Sequence, residues 1–548
     1  EFAYIYQAII LMGFQQVRIP LSNMYAPGTL VRDYLEKKPS IEPFVGPWPS
    51  MVGLGQQISF RQDFSSATRQ LVQAHLKAQY ADLPFSASVQ QNIDCWVNST
   101  CFTVTTGHQL NLFTGPLYVV YKLISTIKLA EKLREEFPEH QFVPVYWMAT
   151  EDHDFAEINH FYLGDQKLVW EPNTPLDGPV GHLKTDGIDA VYEVLASLLG
   201  TSQRAEWLKE QFELAYLQSD NLAKATQRLA DALFGDRGLV VIDADHPELK
   251  RLLKPLFVRE LMEDVTRTKV SESIERIKVV YPDYEPQVSP RDLNFFYIDR
   301  GRRGRMERDE QGAHVVGSDI KYTTAQWIEL YDQFPERFSP NVLTRPLYQE
   351  TILPNLAYIG GGGELSYWFE LKSLFDAVEV PFPVLIHRDA AVLMTEKQWK
   401  KIAAFGLEPN QLFLSKDQLI NKKIRSISNI ELDLGFLKEQ LEAQFAHLYT
   451  LAESTDPSFI GAVHAQKAKQ MQGIDLLEKR LLNAQKRQLK DQVARLSEWH
   501  NELFPQGGYQ ERKRNFAPFY LTYGTLFFDA LYETFDPLDQ ACSLIIFP

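Results

Sequence analysis

Residues 101–160 hold a strand pattern, a polar loop, a helical pattern and a second strand in immediate succession, an order that few folds accommodate. Residues 101–105 alternate apolar and β-branched side chains, as a short buried strand does. Over residues 118–136, Ile124, Ile127, Leu129 and Leu133 recur at near-helical spacing, with Lys122, Lys128, Lys132 and Arg134 assigned to the polar side. Residues 142–148 form the next strand. Strand, helix and strand in so short a span make one βαβ unit and require parallel pairing. Ligands of such sheets bind just beyond the carboxyl ends of the strands. Both strands end in polar chemistry: Thr105, Thr106, Gly107, His108 and Gln109 after the first, Glu151, Asp152, His153 and Asp154 after the second. Three carboxylates and an imidazole in a row are costly to bury without partners, so this run marks the edge of a site.

The rest of the chain extends the α/β reading. Residues 12–60 are rich in Pro and Gly and read as an extended arm around a larger body, and residues 61–79 as a helix. Residues 195–233 read as a mostly helical insertion. Further strands are expected at 238–243, 294–299 and 383–387, with a helix restarting at Pro247. After residue 430, Leu434, Leu437, Leu441, Phe445 and Leu448 form one apolar stripe, and Ile474, Leu477, Leu481, Leu489, Val493, Leu496 and Leu503 a second. The breaker Ser454-Thr455-Asp456-Pro457 separates them, which predicts an antiparallel coiled coil. The expected organisation is a core over 12–429 with helical insertions at about 165–235 and 300–340, a coiled coil over 430–503, and a segment over 504–548 that returns to the core.

Composition narrows the function classes. A formal net charge of −15 over 548 residues argues against a general nucleic-acid binder. The three cysteines form no CxxC pair, so no thiolate zinc site or disulfide framework is indicated, and a reducing cytoplasm is expected. No apolar run is long enough to span a membrane. No Lys or Arg precedes Arg18, so a signal peptide's basic start is missing, and Met12 is a candidate natural start.

Thr105, Thr106 and Gly107, then Thr114 and Gly115, set small residues and hydroxyls between a strand end and a helix start, where backbone N–H groups suit phosphate; a plain turn with an N-cap explains the pattern equally well. Neither the GxGxxG nor the P-loop fingerprint is present. The acidic run suits metal binding, an ammonium or acid–base work by Asp152, His153 and Asp154, against the plainer role of capping a helix. In an extended chain Asp152 and Asp154 face one side, Glu151 and His153 the other. The spacing of His108, His153 and His160 matches no strong zinc signature, and no metal ligand is assigned. From Ser339 to Trp368, Arg345 and Gln349 precede four glycines, including Gly361 and Gly362, and then Glu364, Tyr367 and Trp368 on a helix start. That layout suits a second wall of the pocket, with a flexible hinge as the alternative. After the coiled coil, Gln510 and Arg512 are candidates for a nucleotide contact.

Five ordered motifs, TTGHQLNLFTGPLY, EDHDFAEINH, SPNVLTRP, YIGGGGELSYW and LFPQGGYQER, resemble the cysteine-adding ligases of bacillithiol biosynthesis, and the likeness covers nearly the whole chain. The resemblance implies a Rossmann-like core with inserted connective segments and a coiled coil that joins two copies. It implies an amide-forming reaction between the carboxyl group of cysteine and the amine of glucosaminyl-malate. ATP is the implied cosubstrate, with Mg2+ a candidate companion, and the substrates are small molecules. On that reading Asp152, His153 and Asp154 are catalytic. His108, Gln109, Glu151, Arg345, Gln349, Glu364, Tyr367 and Trp368 bind substrate. Thr105, Thr106, Gly107, Thr114, Gly115, Gly361, Gly362, Gln510 and Arg512 hold phosphate or nucleotide. Against the family pattern, His108 replaces a glutamine, Gly362 a proline and His182 an arginine, and Thr150 replaces a small residue. A metal-dependent hydrolase and a non-catalytic nucleotide or sugar sensor with a coiled-coil arm are the rival readings.

Overall fold

The computed structural model describes residues 9–11, 13–26, 28–173 and 178–548. Met12 lies outside the described residues. At the centre is a five-stranded sheet of β1 (Cys101–His108), β2 (Gln141–Met148), β3 (Val240–Ile242), β4 (Asn355–Gly360) and β5 (Val384–His387), in the order β5-β4-β1-β2-β3. Every neighbouring pair is parallel, and β1 meets β2 in unbroken register from Cys101–Gln141 to His108–Met148. Alternate side chains enter two different apolar clusters. Val143, Val145, Trp147 and Leu385 join one, and Phe102, Val104, Phe142, Val384 and Ile386 the other. Period-two alternation places these clusters on opposite faces of the sheet. Burial on both faces is what a parallel sheet requires. The fold is α/β and Rossmann-like.

Helix α1 (Leu117–Glu136) connects β1 to β2 as expected, but Lys122 departs from its polar face: its side chain is 2% exposed. Helices α2 (Arg345–Ile352) and α3 (Gly362–Glu370) flank β4. Residues 188–234 are helical, as expected. Residues 300–340 are only partly helical: helix Thr324–Gln333 is present, and the remainder is organised by an antiparallel sheet with strands Arg302–Arg308, Gly312–Val315, Lys321–Thr323 and Phe338–Pro340. Phe295–Asp299 pairs in that sheet rather than with the central strands. The Pro-rich N-terminal stretch is not an extended arm either. Its prolines and glycines punctuate short elements whose Tyr34, Ile41 and Phe44 enter the main core.

Among the described residues, 9–392 and Glu511–Ile545 form one compact unit, and Leu393–Gln510 with Ile546–Pro548 another. The division at Val392/Leu393 lies well before the boundary expected near residue 430. In the second unit, α4 (Gly435–Glu453) packs on α5 (Ser458–Gln488), and α6 (Lys490–Leu503) follows. Lys438 pairs with Asp475 at 2.6 Å and Lys467 with Glu442 at 3.4 Å, so the hairpin is antiparallel. Its core is Phe445, Ala452 and Val463. The expected single second helix is divided at Leu489.

Candidate active site

The chain runs from β1 to β2 and β3 on one side, while β4 lies on the other side of β1. Crevices form at such a change of direction. A cleft of about 320 Å3 opens beyond the carboxyl ends of β1 and β4. Gly107, His108 and Gln109 come from the end of β1, Tyr118 and Lys122 from α1, Arg345 and Gln349 from α2. Gly361, Glu364, Tyr367 and Trp368 come from α3 and its N-cap, with Arg388 following β5 and Arg512 from the C-terminal segment.

Lys122 organises the cleft. Its Nζ lies 2.8 and 2.9 Å from the two carboxylate oxygens of Glu364 and donates to the Gly107 carbonyl. Glu364 also accepts from the Tyr358 hydroxyl at 2.7 Å and from the Gly361 N–H at 2.9 Å, which caps α3. Burial pushes the Glu364 carboxyl up, but Lys122 and the Gly361 amide more than reverse this and hold it below its ordinary range. Burial pulls the Lys122 ammonium down against the opposing pull of Glu364. The His108 ring stacks on Tyr118, with centroids 5.2 Å apart. Burial, then the charge of Lys122, push its pKa to about 3, so it is neutral, and its Nε2 has no hydrogen-bond partner among the described residues. Arg388 is bound bidentately by Glu511, at 3.0 and 2.5 Å. Arg345 and Arg512 also line the cleft, and their guanidinium groups have no hydrogen bond or ion pair among the described residues. Two uncommitted cations therefore face the space.

The acidic run borders this cleft without lining it. Asp152 accepts from Gln109 Nε2 at 2.9 Å. Burial raises its carboxyl, but Arg345, Gln109 and the His153 amide outweigh burial and hold it below the ordinary range. His153 is exposed, and its Nδ1 lies 2.9 Å from Arg303 Nη1. A guanidinium only donates, so Nδ1 accepts and a neutral ring carries its proton on Nε2. Arg303 in turn lies over the Phe296 ring at 3.7 Å, and burial followed by the charge of Arg345 lowers it to about 10. Asp154 is exposed and caps a short helix without a side-chain bond. Glu151 is buried against Lys250 at 2.6 Å, and Lys250 also holds Asp245 at 2.5 Å. A turn bonding Asp152 N–H to the Ala149 carbonyl breaks the alternation expected of an extended chain.

Several expected phosphate contacts lie elsewhere. Thr105 donates to Asn355 and Thr106 to the Ile359 carbonyl, so both hydroxyls stitch β1 to β4. Thr114 and Gly115 adopt positive φ in a turn held by Asn515, which donates to the Phe113 and Gly115 carbonyls. The Leu117 N–H at the start of α1 is taken by the Arg514 carbonyl. An anion finds no free donor at that position. Gln510 clamps both backbone groups of Leu393 at 2.9 Å and is structural. Gln349 lines the cleft but donates to Glu350. Gly362 is explained by packing, since a Cβ there would lie 2.4 Å from the Tyr25 hydroxyl oxygen. His182 bonds Asp245 at 2.8 Å, which raises its pKa, and Thr150 bonds Asp243 at 2.7 Å.

Sequence reasoning missed Lys122, Tyr118, Tyr358, Arg388 and Arg303 as functional candidates. Lys122 lies one turn after Tyr118 on the same helical face, and Arg388 directly follows a strand, so each carried a usable signal. Among the described residues, no group of three His, Cys, Asp or Glu side chains is arranged to hold a metal ion. The carboxylates of Glu151 and Asp245 are bridged by Lys250. No helix of the described residues is long and apolar enough to cross a membrane.

Comparison with known proteins adds the family. Residues 12–389 match the model of the bacillithiol biosynthesis BshC N-terminal Rossmann-like domain, and residues 391–547 that of the BshC C-terminal coiled-coil domain. A Christiangramia forsetii protein named "Putative cysteine ligase BshC" is 45% identical over 97% of this chain and 98% of its own length. Proteins of the same name from Flavobacterium johnsoniae (44% identity, 94% of this chain and 97% of theirs) and Cytophaga hutchinsonii (35%, 96% and 98%) are also similar.

Proposed function

The chain belongs to the BshC family of bacillithiol biosynthesis, and from that premise we propose that it is a ligase joining the carboxyl group of cysteine to the amine of glucosaminyl-malate. The observation that carries this reading is the pair of uncommitted guanidinium groups, Arg345 and Arg512, in a cleft at the strand ends. Glucosaminyl-malate brings two carboxylates, and planar guanidinium groups hold carboxylates through paired N–H donors.

Amide formation from a free carboxylate needs activation, because its oxygen is a poor leaving group. ATP is the proposed reagent, supplying a phosphoryl or adenylyl group to that oxygen, with Mg2+ as its companion. Arg345 and Arg512, the two free arginines, are the residues proposed to face the resulting negative charge. Asp152 stays charged beside Gln109 and suits an ammonium group. His153, whose Nδ1 is engaged by Arg303, presents a donor at Nε2 rather than a base. The reaction belongs to the cytoplasm on this reading. The protein acts as a homodimer, with Leu451, Leu476 and Leu477, each more than half exposed, as the apolar contact of the hairpin.

The test is to incubate the purified protein with glucosaminyl-malate, cysteine and Mg-ATP and to follow products by mass spectrometry against an ATP-free control. ATP-dependent bacillithiol is the expected result, and the accompanying AMP or ADP identifies the group transferred. Folded protein that forms no thiol from verified substrates overturns the assignment.

A further inference from the structure

A second, larger cavity of about 610 Å3 shares Gly363 with the cleft as a lining residue. The two differ in chemistry. The cleft is walled by Lys122, Arg345, Arg388 and Arg512, whereas among the described residues no Lys or Arg lines the second cavity. That cavity has Tyr25, Tyr281 and Tyr284 in its wall, with Asp283 and Glu285 exposed beside them. The three phenol hydroxyls are each engaged by a protein partner. Tyr25 bonds His387 Nε2 at 2.5 Å, Tyr281 bonds Asp33 at 3.1 Å, and Tyr284 bonds Glu370 at 2.5 Å. The rings are thereby fixed, and what they offer is apolar surface.

The glycine run between the two spaces has a matching asymmetry. A Cβ at Gly362 would collide with Tyr25, so that glycine serves packing. A Cβ at Gly363 would meet no atom within 4 Å. Nothing in the packing requires glycine at 363, and it lines both spaces.

We infer that the second cavity is the subsite for the hydroxylated ring of the acceptor, a hexosamine whose charged substituents reach past Gly363 into the cationic cleft. The inference rests on the ligase reading and deepens it. Fixed aromatic surface takes the apolar face of a sugar ring, and carboxylates accept from its hydroxyl groups. In glucosaminyl-malate the amine and the malyl group sit on adjacent ring carbons. Both therefore leave the ring on one side, toward Arg345 and Arg512, while the remaining hydroxyls face Asp283 and Glu285. Gly363 keeps the passage open, and a side chain there narrows it.

The test is calorimetric binding of glucosaminyl-malate, of malate alone and of methyl glucosaminide to the full chain without ATP. Asp283→Asn/Glu285→Gln alters only exposed side chains, and Gly363→Val fills open space, so both variants should fold, which circular dichroism verifies. The double variant should weaken glucosaminyl-malate at least tenfold and leave malate unchanged. Gly363→Val should weaken glucosaminyl-malate by a similar factor and also spare malate. Unchanged glucosaminyl-malate affinity in both variants overturns the subsite, as does equal weakening of malate. A product assay on the wild type separates the two claims. Binding that responds to these variants without any thiol product sinks the ligase and keeps the subsite. Product formation with unresponsive variants does the reverse.

Discussion

Lys122 and Glu364 keep their charges in the cleft only through each other and the donors around them. Removing one partner of a buried pair strands the other's charge. Lys122→Met should therefore cost about 3 kcal/mol, the low end for such a loss, because Glu364 keeps 27% of its side chain exposed. Lys122→Met/Glu364→Gln should recover most of this in urea denaturation, since the glutamine oxygen still accepts from the Gly361 N–H while its NH2 donates to the Tyr358 hydroxyl oxygen. Turnover should stay lost in both variants. A double variant with wild-type turnover would reduce the pair to scaffolding. Asp389 poses a different residue-scale problem. It accepts from Ser125 at 2.8 Å and from the Asp536 N–H at 2.9 Å, yet burial raises its carboxyl from 3.8 to about 7. The folded state then binds the extra proton between those two values. Stability from this group is highest below the lower value and falls as pH rises toward the upper one. Asp389→Asn should flatten the decline in melting temperature between about pH 5 and pH 7. Parallel profiles for variant and wild type would show that Asp389 is ionised throughout. Arg345 and Glu364 were legible because their motif placed polar groups beside glycines at an element boundary. Lys122 was not, because helical periodicity assigns every lysine to water, and only tertiary packing shows which face a second wall covers.

The parallel sheet could be read because buried strands and an amphipathic connector have distinct periods. The antiparallel sheet over residues 295–340 could not, apart from its first strand, Phe295–Asp299. Strand Arg302–Arg308 reads Arg-Arg-Gly-Arg-Met-Glu-Arg and buries only Met306, so its identity comes from backbone pairing with both neighbours. The hairpin was legible as two stripes, whereas the break at Leu489 leaves no Pro or Gly signal in its vicinity. Its exposed Leu476 and Leu477 carry the dimer prediction. Leu476→Lys/Leu477→Lys should halve the mass in sedimentation equilibrium, with helical content intact. An undiminished mass would place the contact between copies elsewhere.

At the scale of the whole molecule, two charge patterns oppose each other. The chain carries −15, yet among the described residues the cleft has four cationic side chains and Glu364 as its only carboxylate. Contact between a dicarboxylate and Arg345 is short-ranged and little affected by salt, whereas repulsion by the net charge acts at long range. The screening length shrinks from about 30 Å at 0.01 M salt to about 8 Å at 0.15 M, so added salt removes the repulsion first. On the ligase reading, kcat/KM for glucosaminyl-malate should therefore rise over that range, by a factor on the order of two. An initial-rate series in potassium chloride, with ATP and cysteine saturating, measures this. A steady fall instead would mean that the cleft's own field reaches beyond its mouth and draws the anion in, so that local cations outweigh the net charge even at a distance.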